Sequence, residues 1–587
     1  MKKNNFQNLN PEKIKEMSID ELTSLSDSVR HLLIDSVSNT GGHIGANLGV
    51  IELTMALHYV FNSPKDKIIF DTGHQGYTHK ILTGRANILN TLNKSDGMSR
   101  FITRSESKHD IIDASHAGTS LSIATGIAFS NFVKNIDDFV IPIIGDGSLV
   151  EGLAFEGLNY ISVHNLKLMI VLNDNGMAIA PNIGGVKKIT SNSNYIEKCK
   201  SMFEGFGIKY FSVEDGHNLQ ELIYKYSQAR DVNGPTLVHV KTEKGKGLNC
   251  AATHPYKMHF SMPFNPKDGS GSSPTIAGKT YSTVASDVLR KKLENNKDIF
   301  LITPATPYAS SLDSLMIDYP DRVLDVGMAE QHAVVMACGM ALNGLNPVLC
   351  FQTTFLQRAF DQLIHDLCYM NLNITVLGVR SGFAGLDSPT HHGIYDLPYL
   401  RSLPNMQIQY PINSDDMAEI LNERLDNPIG PMTILYPYEN IPTNEINDYI
   451  DDIDGVRHVS NGDDGIIFCL GNQLNQAHEL KNLISLNNSA NFSIACIRNV
   501  KPISVRRLTS LCLNKKRVIT IEESTLQGGL GSAIIEVLSD NGVENDTVRV
   551  GIDDIFVPVG SKEELCNYCS IDPLSAYNKI IARWQDL

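Results

Sequence analysis

The sequence predicts an α/β protein built from three domains whose sheets are mainly parallel. Two observations support this fold class. Short apolar runs alternate with helix-like stretches through the first two blocks of the chain, a pattern typical of parallel sheets that are covered on both faces. The 587 residues also exceed what one domain usually holds, and a hydrophobic fraction of 42% can supply several cores.

Two polar stretches divide the chain into domains. Residues 265–279 are rich in Gly, Ser and Pro and are typical of a linker. Residues 438–462 are polar and acidic and contain Pro442, and we expect a new strand at 465–470 to open the last domain. The predicted domains are 1–265, 280–440 and 460–587.

In the first domain, a βαβ unit carries two polar tripeptides. Apolar runs at 139–144 and 166–172 predict buried strands, and residues 151–164 predict the helix between them. Gly145-Asp146-Gly147 follows the first strand, and Asn173-Asp174-Asn175 follows the second. A right-handed crossover would bring both tripeptides to the carboxyl ends of parallel strands, where open α/β sheets bind ligands.

The side chains of these tripeptides fit a magnesium ion that holds a diphosphate. Mg²⁺ prefers octahedral oxygen ligands and usually keeps one or two protein ligands together with phosphate oxygens and water. The carboxylate of Asp146, the side-chain oxygen of Asn175 and the carbonyl of Met177 could supply three ligands. Gly145 and Gly147 would let the backbone approach the ligand closely. Either tripeptide alone is an ordinary turn, but the pair after two strands favours a site.

Charge and composition exclude several other classes of protein. A formal charge of −15, from 65 acidic and 50 basic residues, argues against a broad surface for nucleic acid or anionic membrane. No apolar run approaches the roughly 18 residues of a membrane span, and residues 1–12 lack a secretory core. We therefore expect a cytoplasmic protein. Ten scattered cysteines indicate neither a disulfide framework nor a zinc cluster.

Motifs in all three predicted domains carry a resemblance to one family. In chain order they include Gly41-Gly42-His43, Gly73-His74-Gln75, the two tripeptides, Ala329-Glu330-Gln331-His332, Thr354-Phe355-Leu356-Gln357-Arg358 and Gly528-Gly529-Leu530-Gly531. This ordered set resembles the 1-deoxy-D-xylulose-5-phosphate synthases, which are transketolase-like thiamine diphosphate enzymes. The resemblance implies two α/β domains that bind thiamine diphosphate, the first holding its diphosphate with Mg²⁺ and the second its pyrimidine. It also implies a C-terminal transketolase-like domain and a homodimer.

The resemblance assigns roles to individual residues. Glu330 would hydrogen-bond the pyrimidine and promote loss of the cofactor's C2 proton, and we expect burial to raise its pKa. His43, His74, Asp387 and His391 would act with it in catalysis. The predicted cofactor-binding residues are His74, His116, Ala117, Gly118, Gly145, Asp146, Gly147, Ser148, Asn175, Met177, Glu330 and Phe355. The predicted substrate-binding residues are His43, His259, Gln352, Arg358, Arg380, Asp387, His391 and Tyr438.

The reaction implied by the resemblance joins two small molecules by a new carbon-carbon bond. Pyruvate would be decarboxylated, and its two-carbon unit would pass to D-glyceraldehyde 3-phosphate to give 1-deoxy-D-xylulose 5-phosphate, an isoprenoid precursor. Departures from the family pattern concern the aldehyde. Tyr438 and Glu439 stand where the family has Arg and Gly, and Gln352 replaces a tyrosine. The chain is also shorter than its family after Gly184.

These departures leave three alternatives open. The protein could be a carboligase of the same kind that uses a different acceptor aldehyde in a specialised pathway. It could be a transketolase with a ketose donor, although the motif around Glu330 favours the synthase branch. It could also be a non-catalytic paralogue, which the presence of Asp146, Asn175 and Glu330 argues against.

Overall fold

A computed structural model describes residues 6, 9–94, 96–272, 278–442, 445–585 and 587. These residues form α-helices and three sheets that are mainly parallel, so the predicted α/β class is confirmed. The chain divides into two compact units, Met1–Pro274 with Val326–Ala329 and Thr275–Asp325 with Glu330–Leu587. None of the described helices is long and apolar enough to span a membrane. The exact boundaries of the three predicted domains stay predictions.

The sheet of the first unit has five strands, all parallel, in the order β1-β2-β3-β5-β4. The predicted βαβ unit is confirmed, with its helix beginning after the cap residue Glu151. The strands are β1 Lys67–Phe70, β2 Val140–Gly145, β3 Met169–Asp174, β4 Lys209–Val213 and β5 Thr236–Lys241. The helices are α1 Pro11–Lys15, α2 Ile19–Thr40, α3 Ile44–Leu48, α4 Ile51–Val60, α5 Tyr77–Lys80, α6 Ser120–Val133, α7 Gly152–Tyr160, α8 Gly184–Thr190, α9 Tyr195–Gly205, α10 Leu219–Arg230 and α11 Asn249–Thr253.

Alternate residues of these strands belong to cores on opposite faces of the sheet. In β2, Ile141 and Ile143 lie in one core, whereas Val140 and Ile144 lie in the other. Successive strand side chains point to opposite faces, so a strand that is covered on both faces needs apolar residues at every position. This requirement explains why the strands read as continuous apolar runs.

The second unit contains two sheets. One has the order β16-β10-β11-β9-β8-β6-β7 and is parallel except for β16, and the other has the order β12-β13-β15-β14-β17-β18. The strands are β6 Ile299–Thr303, β7 Val323–Asp325, β8 Asn346–Gln352, β9 Thr375–Val379, β10 Gln407–Gln409, β11 Met432–Tyr436, β12 Asp451–Ile453, β13 Val456–Ser460, β14 Gly465–Cys469, β15 Phe492–Ile497, β16 Asn499–Lys501, β17 Arg517–Thr525 and β18 Asp546–Ile552. The helices are α12 Tyr281–Asn295, α13 Asp313–Asp318, α14 Glu330–Leu342, α15 Thr353–Leu356, α16 Phe360–Gln362, α17 Asp396–Arg401, α18 Ser414–Asp426, α19 Leu474–Asn488, α20 Val505–Cys512, α21 Leu530–Asp540, α22 Lys562–Tyr568 and α23 Pro573–Arg583.

The predicted strand at 465–470 is confirmed as β14, Gly465–Cys469, but the prediction that it comes first in the last sheet was wrong. The hairpin β12–β13 comes first and pairs antiparallel with β15. Its turn is Asp454-Gly455, and both residues have positive φ, of 55° and 74°. This dipeptide between strands is a strong hairpin signal that the polar composition of the region concealed. The predicted linker at 265–279 falls partly on residues 273–277, which lie outside the described residues.

Candidate active site

The carboxyl ends of four parallel strands bring polar residues to one edge of the first sheet. Asp71 follows β1, Asp146 follows β2, Asn175 follows β3, and Lys244 comes three residues after β5. The pairing of β2 with β3 sets Gly145 beside Asn173, so the predicted juxtaposition of the two tripeptides is confirmed. This edge is where open α/β sheets bind ligands.

The carboxylate of Asp146 is buried and accepts hydrogen bonds from three donors. Its Oδ2 accepts from the Gly176 N–H at 2.7 Å and the Asn182 side-chain amide at 2.8 Å, and its Oδ1 accepts from the Gly147 N–H at 3.1 Å. Burial, with the neighbouring Asp174, raises the pKa of Asp146 well above its usual value. No described residue forms an ion pair with this carboxylate. A bound cation would relieve the cost of burying its charge.

Asp174, by contrast, already has a lysine and a histidine as hydrogen-bond partners. Its Oδ2 accepts hydrogen bonds from His239 Nε2 at 2.7 Å and Lys241 Nζ at 2.5 Å. Burial opposes ionisation of Asp174, but these two hydrogen bonds outweigh burial and lower its pKa. The two neighbouring carboxylates therefore differ in kind. Asp174 holds the end of β3 in place, whereas Asp146 forms no ion pair with a described residue.

The loop after β3 holds the other predicted metal ligands. Asn175 Oδ1 accepts the Met177 N–H at 3.1 Å, and Met177 pairs across the loop with Pro181. Gly147 approaches this loop so closely that a Cβ there would lie 2.6 Å from the Ala178 Cβ. This close approach requires glycine at 147, whereas a Cβ at Gly145 would meet nothing within 4 Å. The approach of these two glycines to a ligand stays a prediction.

Lys244 is a buried cation that the sequence analysis missed. Lys244 is 7% exposed, and its Nζ donates a hydrogen bond to the Ala178 carbonyl at 2.5 Å. Burial lowers the pKa of Lys244 to about 7, although the negative charge of Asp146 acts to raise it. No described carboxylate pairs with it. Since a buried ammonium without an anion is unfavourable, an anionic ligand at this edge would stabilise the site.

The predicted cofactor residues His116, Ala117 and Gly118 form the turn that leads into α6. The carboxylate of Asp71 accepts the Gly118 N–H at 2.9 Å and the Ser120 N–H at 3.1 Å. Gly118 has φ of 87°, and a Cβ there would lie 2.6 Å from Glu151 Oε2. Asp71 therefore fixes this turn, although the sequence analysis did not select it. Ser148, another predicted cofactor residue, is buried and its carbonyl accepts the Glu151 N–H.

Three of the predicted histidines lie together. The ring centroids of His43 and His74 are 5.3 Å apart, those of His43 and His259 are 5.5 Å apart, and those of His74 and His259 are 5.0 Å apart. Asn47 joins two of their segments, because its Nδ2 donates to the carbonyls of both His43 and His74 at 2.8 Å. Burial, with the nearby Lys244, lowers the pKa of His74 to about 3, so its imidazole is neutral at physiological pH.

In the second unit, Glu330 is the first residue of α14 and is 5% exposed. A carboxylate at the first turn of a helix is stabilised by the helix dipole, so this position alone suits a structural role as well. Phe355 lies in α15 and contacts His391 edge to face, with ring centroids 5.4 Å apart.

Four predicted substrate residues form one group, which we call the acceptor cluster: Arg380, Asp387, His391 and Tyr438. Arg380 Nη1 donates to Asp387 Oδ2 at 2.8 Å, and His391 Nδ1 lies 3.2 Å from the same oxygen. The Arg380 guanidinium stacks 4.5 Å from the centre of the Tyr438 ring. Arg380 also has φ of 69°, an unusual backbone conformation for a residue with a side chain.

Two further predicted substrate residues lie on neighbouring elements of this sheet. Gln352 ends β8, is buried, and its Nε2 donates to the Tyr308 hydroxyl at 3.4 Å. Arg358 lies in a 3₁₀ turn, Gln357–Ala359, and is partly buried. The roles of all these residues stay predictions.

Comparison with known proteins gives matches along the whole chain. The family model described as 1-deoxy-D-xylulose-5-phosphate synthase matches residues 7–199 and 190–242. The models for the transketolase pyrimidine binding domain and C-terminal domain match residues 277–443 and 454–575. The 1-deoxy-D-xylulose-5-phosphate synthase of Halothermothrix orenii is 38% identical, covering 97% of this chain and 96% of its own. That of Geobacillus sp. (strain WCH70) is 37% identical, covering 95% of each chain.

The chain belongs to the 1-deoxy-D-xylulose-5-phosphate synthase family. It is therefore a transferase of the synthase type and a thiamine diphosphate enzyme, as the sequence predicted. A solved transketolase from Campylobacter jejuni matches at 16% identity, covering 96% of this chain and 100% of its own with a TM-score of 0.46.

The residues that sequence reasoning missed in this synthase-family protein share one property. Asp71, Asn182 and Lys244 lie outside the tripeptides and contact the turn before α6, Asp146 and the loop after β3, respectively. One signal was present in the sequence, since Lys244 begins a Lys-Gly-Lys-Gly run three residues after the apolar strand β5. Their partners are distant in sequence, so only the folded chain reveals them.

Proposed function

We propose that this protein decarboxylates pyruvate and transfers the two-carbon unit to D-glyceraldehyde 3-phosphate, forming 1-deoxy-D-xylulose 5-phosphate. Membership of the synthase family supports the reaction type. The observation that carries the proposal is the sheet edge beyond the ends of β2 and β5, which lie on either side of β3. Asp146 and Lys244 lie at this edge, and neither forms an ion pair with a described residue. One fits a metal cation and the other fits the anionic end of a cofactor.

The residues at this edge fit Mg²⁺ and thiamine diphosphate. Asp146, Asn175 and the Met177 carbonyl would hold the metal, since a hard cation takes oxygen ligands. Among the described residues there is no group of three His, Cys, Asp or Glu side chains that would suit a softer metal. Lys244 and the turn at His116, Ala117 and Gly118 would hold the diphosphate.

Thiamine diphosphate, when bound, supplies the carbon nucleophile that carries the two-carbon unit. Glu330 would hold a proton beside the pyrimidine, and its burial at the start of α14 excludes water from that carboxyl. His43, His74 and His259 would orient the reacting carbonyl groups and move protons. His74 acts there as a neutral imidazole, because burial keeps its pKa near 3.

A second candidate is the same carboligase with an acceptor that carries no phosphate. The arrangement of the acceptor cluster favours it, because Arg380 is already paired with Asp387 and stacked on Tyr438. A phosphate would have to share this guanidinium with a carboxylate. In the first candidate, Arg358 and Arg380 would both bind the phosphate, and Arg380 would be shared with Asp387.

One experiment tests both candidates. The purified protein is incubated with thiamine diphosphate, Mg²⁺ and pyruvate, and carbon dioxide release and product mass are compared for D-glyceraldehyde 3-phosphate and D-glyceraldehyde. Efficient formation of 1-deoxy-D-xylulose 5-phosphate supports the first candidate, and a preference for the unphosphorylated aldehyde supports the second. Pyruvate turnover that is unchanged in Glu330→Ala would rule out the mechanism in both.

We further propose that the protein is a homodimer. The first unit has an exposed apolar patch where α6 and α7 end, which a partner could bury. Phe132 and Val133 at the end of α6 are 55% and 61% exposed, and Tyr160 and Val163 at the end of α7 are 51% and 59% exposed. Sedimentation of the wild type and of Phe132→Ser/Val133→Ser tests this proposal, with a monomeric wild type as the contradicting result.

A further inference from the structure

Glu439, one of the departures from the family pattern, is paired with a lysine of the C-terminal domain. Lys562 Nζ donates to Glu439 Oε2 at 2.7 Å and lies 3.1 Å from Glu523 Oε1. Burial opposes the charge of Lys562, but Glu523 and Glu439 outweigh it and raise the pKa of this ammonium. Lys562 therefore carries a positive charge between two carboxylates, directly beside the residue that follows Tyr438.

The second carboxylate of this triad, Glu523, contacts the loop that bears the acceptor cluster. Its Oε2 accepts the Phe383 N–H at 3.3 Å. Gly382 has φ of 95°, and a Cβ there would lie 2.6 Å from the same oxygen. The loop closes where Gly382 and Gly393 exchange two backbone hydrogen bonds of 2.8 Å.

The C-terminal domain also contacts the 381–393 loop at His392. His392, next to His391, has its Nε2 2.9 Å from the Pro558 carbonyl, and its Nδ1 accepts the Ala384 N–H at 2.9 Å. The loop that carries Asp387 and His391 therefore contacts both Glu523 and the segment just before Lys562.

The charges near Tyr438 show what Lys562 adds. Arg380 is matched by Asp387, so the acceptor cluster has little spare positive charge. Glu439 is 30% exposed and would stand beside Tyr438 as an unpaired carboxylate if Lys562 were absent. An unpaired carboxylate near an anion-binding site lowers the affinity of the site for phosphate.

We propose that Lys562 is a specificity-determining residue of the acceptor end, which permits a phosphorylated aldehyde to bind by offsetting the charge of Glu439 beside Tyr438. This inference rests on the proposed function. Lys562 acts through Glu439 and is a positioning residue. It compensates for the absence of the family's arginine at position 438.

The test compares Lys562→Met, Lys562→Arg, Glu439→Gln and the double variant Glu439→Gln/Lys562→Met with the wild type. Lys562→Met should raise the KM for D-glyceraldehyde 3-phosphate roughly threefold to fivefold, the range of a partly exposed ion pair. The kcat, the KM for pyruvate and the KM for D-glyceraldehyde should stay within twofold. Lys562→Arg and the double variant should return the phosphorylated KM to about the wild-type value.

Lys292→Met is the matched control, because it removes a lysine that pairs with Asp426 at 2.6 Å on another part of the same unit. Calorimetric titration with sn-glycerol 3-phosphate, an unreactive phosphorylated triol, measures binding without turnover. If Lys562→Met and the double variant are equally weakened, Glu439 is not the cause and the inference fails. It also fails if Lys562→Met binds this probe as the wild type does. If the probe shows the expected pattern but the wild type does not turn over D-glyceraldehyde 3-phosphate, the proposed acceptor is wrong and the inference stands.

Discussion

Replacing Lys244 by Met should stabilise the protein without its cofactor and weaken the binding of thiamine diphosphate. In the folded chain, burial lowers the pKa of Lys244 from 10.5 to about 7. Each pKa unit corresponds to about 1.36 kcal/mol, so the buried charge costs on the order of 4 kcal/mol at neutral pH. Methionine fills similar space without charge but loses the hydrogen bond to the Ala178 carbonyl, worth about 1 kcal/mol. A net gain of roughly 3 kcal/mol remains for the cofactor-free protein.

The stability difference between Lys244→Met and the wild type should depend on pH, in a direction set by the lowered pKa of Lys244. The pKa of Lys244 is lower in the folded chain than in the unfolded chain, so the unfolded chain binds more protons between pH 7 and 10.5. The penalty is therefore complete below about pH 7 and disappears as pH rises towards 10.5. The stability difference between Lys244→Met and wild type should shrink over this range.

Two measurements check the prediction. Calorimetric unfolding of the cofactor-free proteins at pH 7 and pH 9.5 measures the stability difference, and titration with thiamine diphosphate and Mg²⁺ measures affinity, which should fall at least tenfold. Lys246→Met is the control, because Lys246 is 42% exposed and pairs with Glu243 at the surface. A cofactor-free Lys244→Met protein that is less stable at pH 7, or that binds the cofactor as tightly as wild type, would refute the reasoning.

Three further predictions concern other residues. Glu330→Gln should lower carbon dioxide release from pyruvate by at least roughly 100-fold, with little change in cofactor affinity, and wild-type release would contradict its role. Asp71→Asn should weaken thiamine diphosphate binding about tenfold, because one of the N–H groups of Gly118 and Ser120 loses its acceptor. Calorimetric titration measures this affinity. An unchanged affinity would show that the turn is fixed by other contacts. Tyr438→Arg should lower the KM for D-glyceraldehyde 3-phosphate about tenfold and leave that for D-glyceraldehyde unchanged; equal effects on both aldehydes would contradict a phosphate contact.

The sequence predicted those parts of the fold and site that depend on neighbours in the chain. The strands around Asp146 and Asn175 are continuous apolar runs because both faces are buried, and this pattern is visible without a structure. The hairpin at Asp454 and Gly455 was missed because its strands, of three and five residues, carry too few apolar positions to stand out.

Contacts between distant residues could not be predicted. Lys562 lies 123 positions from Glu439, and nothing local to either residue indicates that they pair. From the sequence alone, Glu439 adds a negative charge beside Tyr438. In the structure this carboxylate is paired with Lys562, a lysine that it shares with Glu523. Charge near a site can be counted only after its partners are known.

The two proposed anion-binding regions differ in how their cations are paired, and this difference bears on what each can recognise. At the edge of the first sheet, Lys244 is buried and forms no ion pair with a described carboxylate, so an anion that binds there is attracted in a region of low dielectric. At the acceptor end, Arg380 is paired with Asp387, and Lys562 is paired with Glu439 and Glu523. A phosphate that binds there competes with these carboxylates, so it gains less electrostatic attraction than it would from an unpaired cation. We therefore expect tight binding of the diphosphate and a modest preference for a phosphorylated aldehyde, so that small changes at Tyr438 or Glu439 suffice to shift the acceptor.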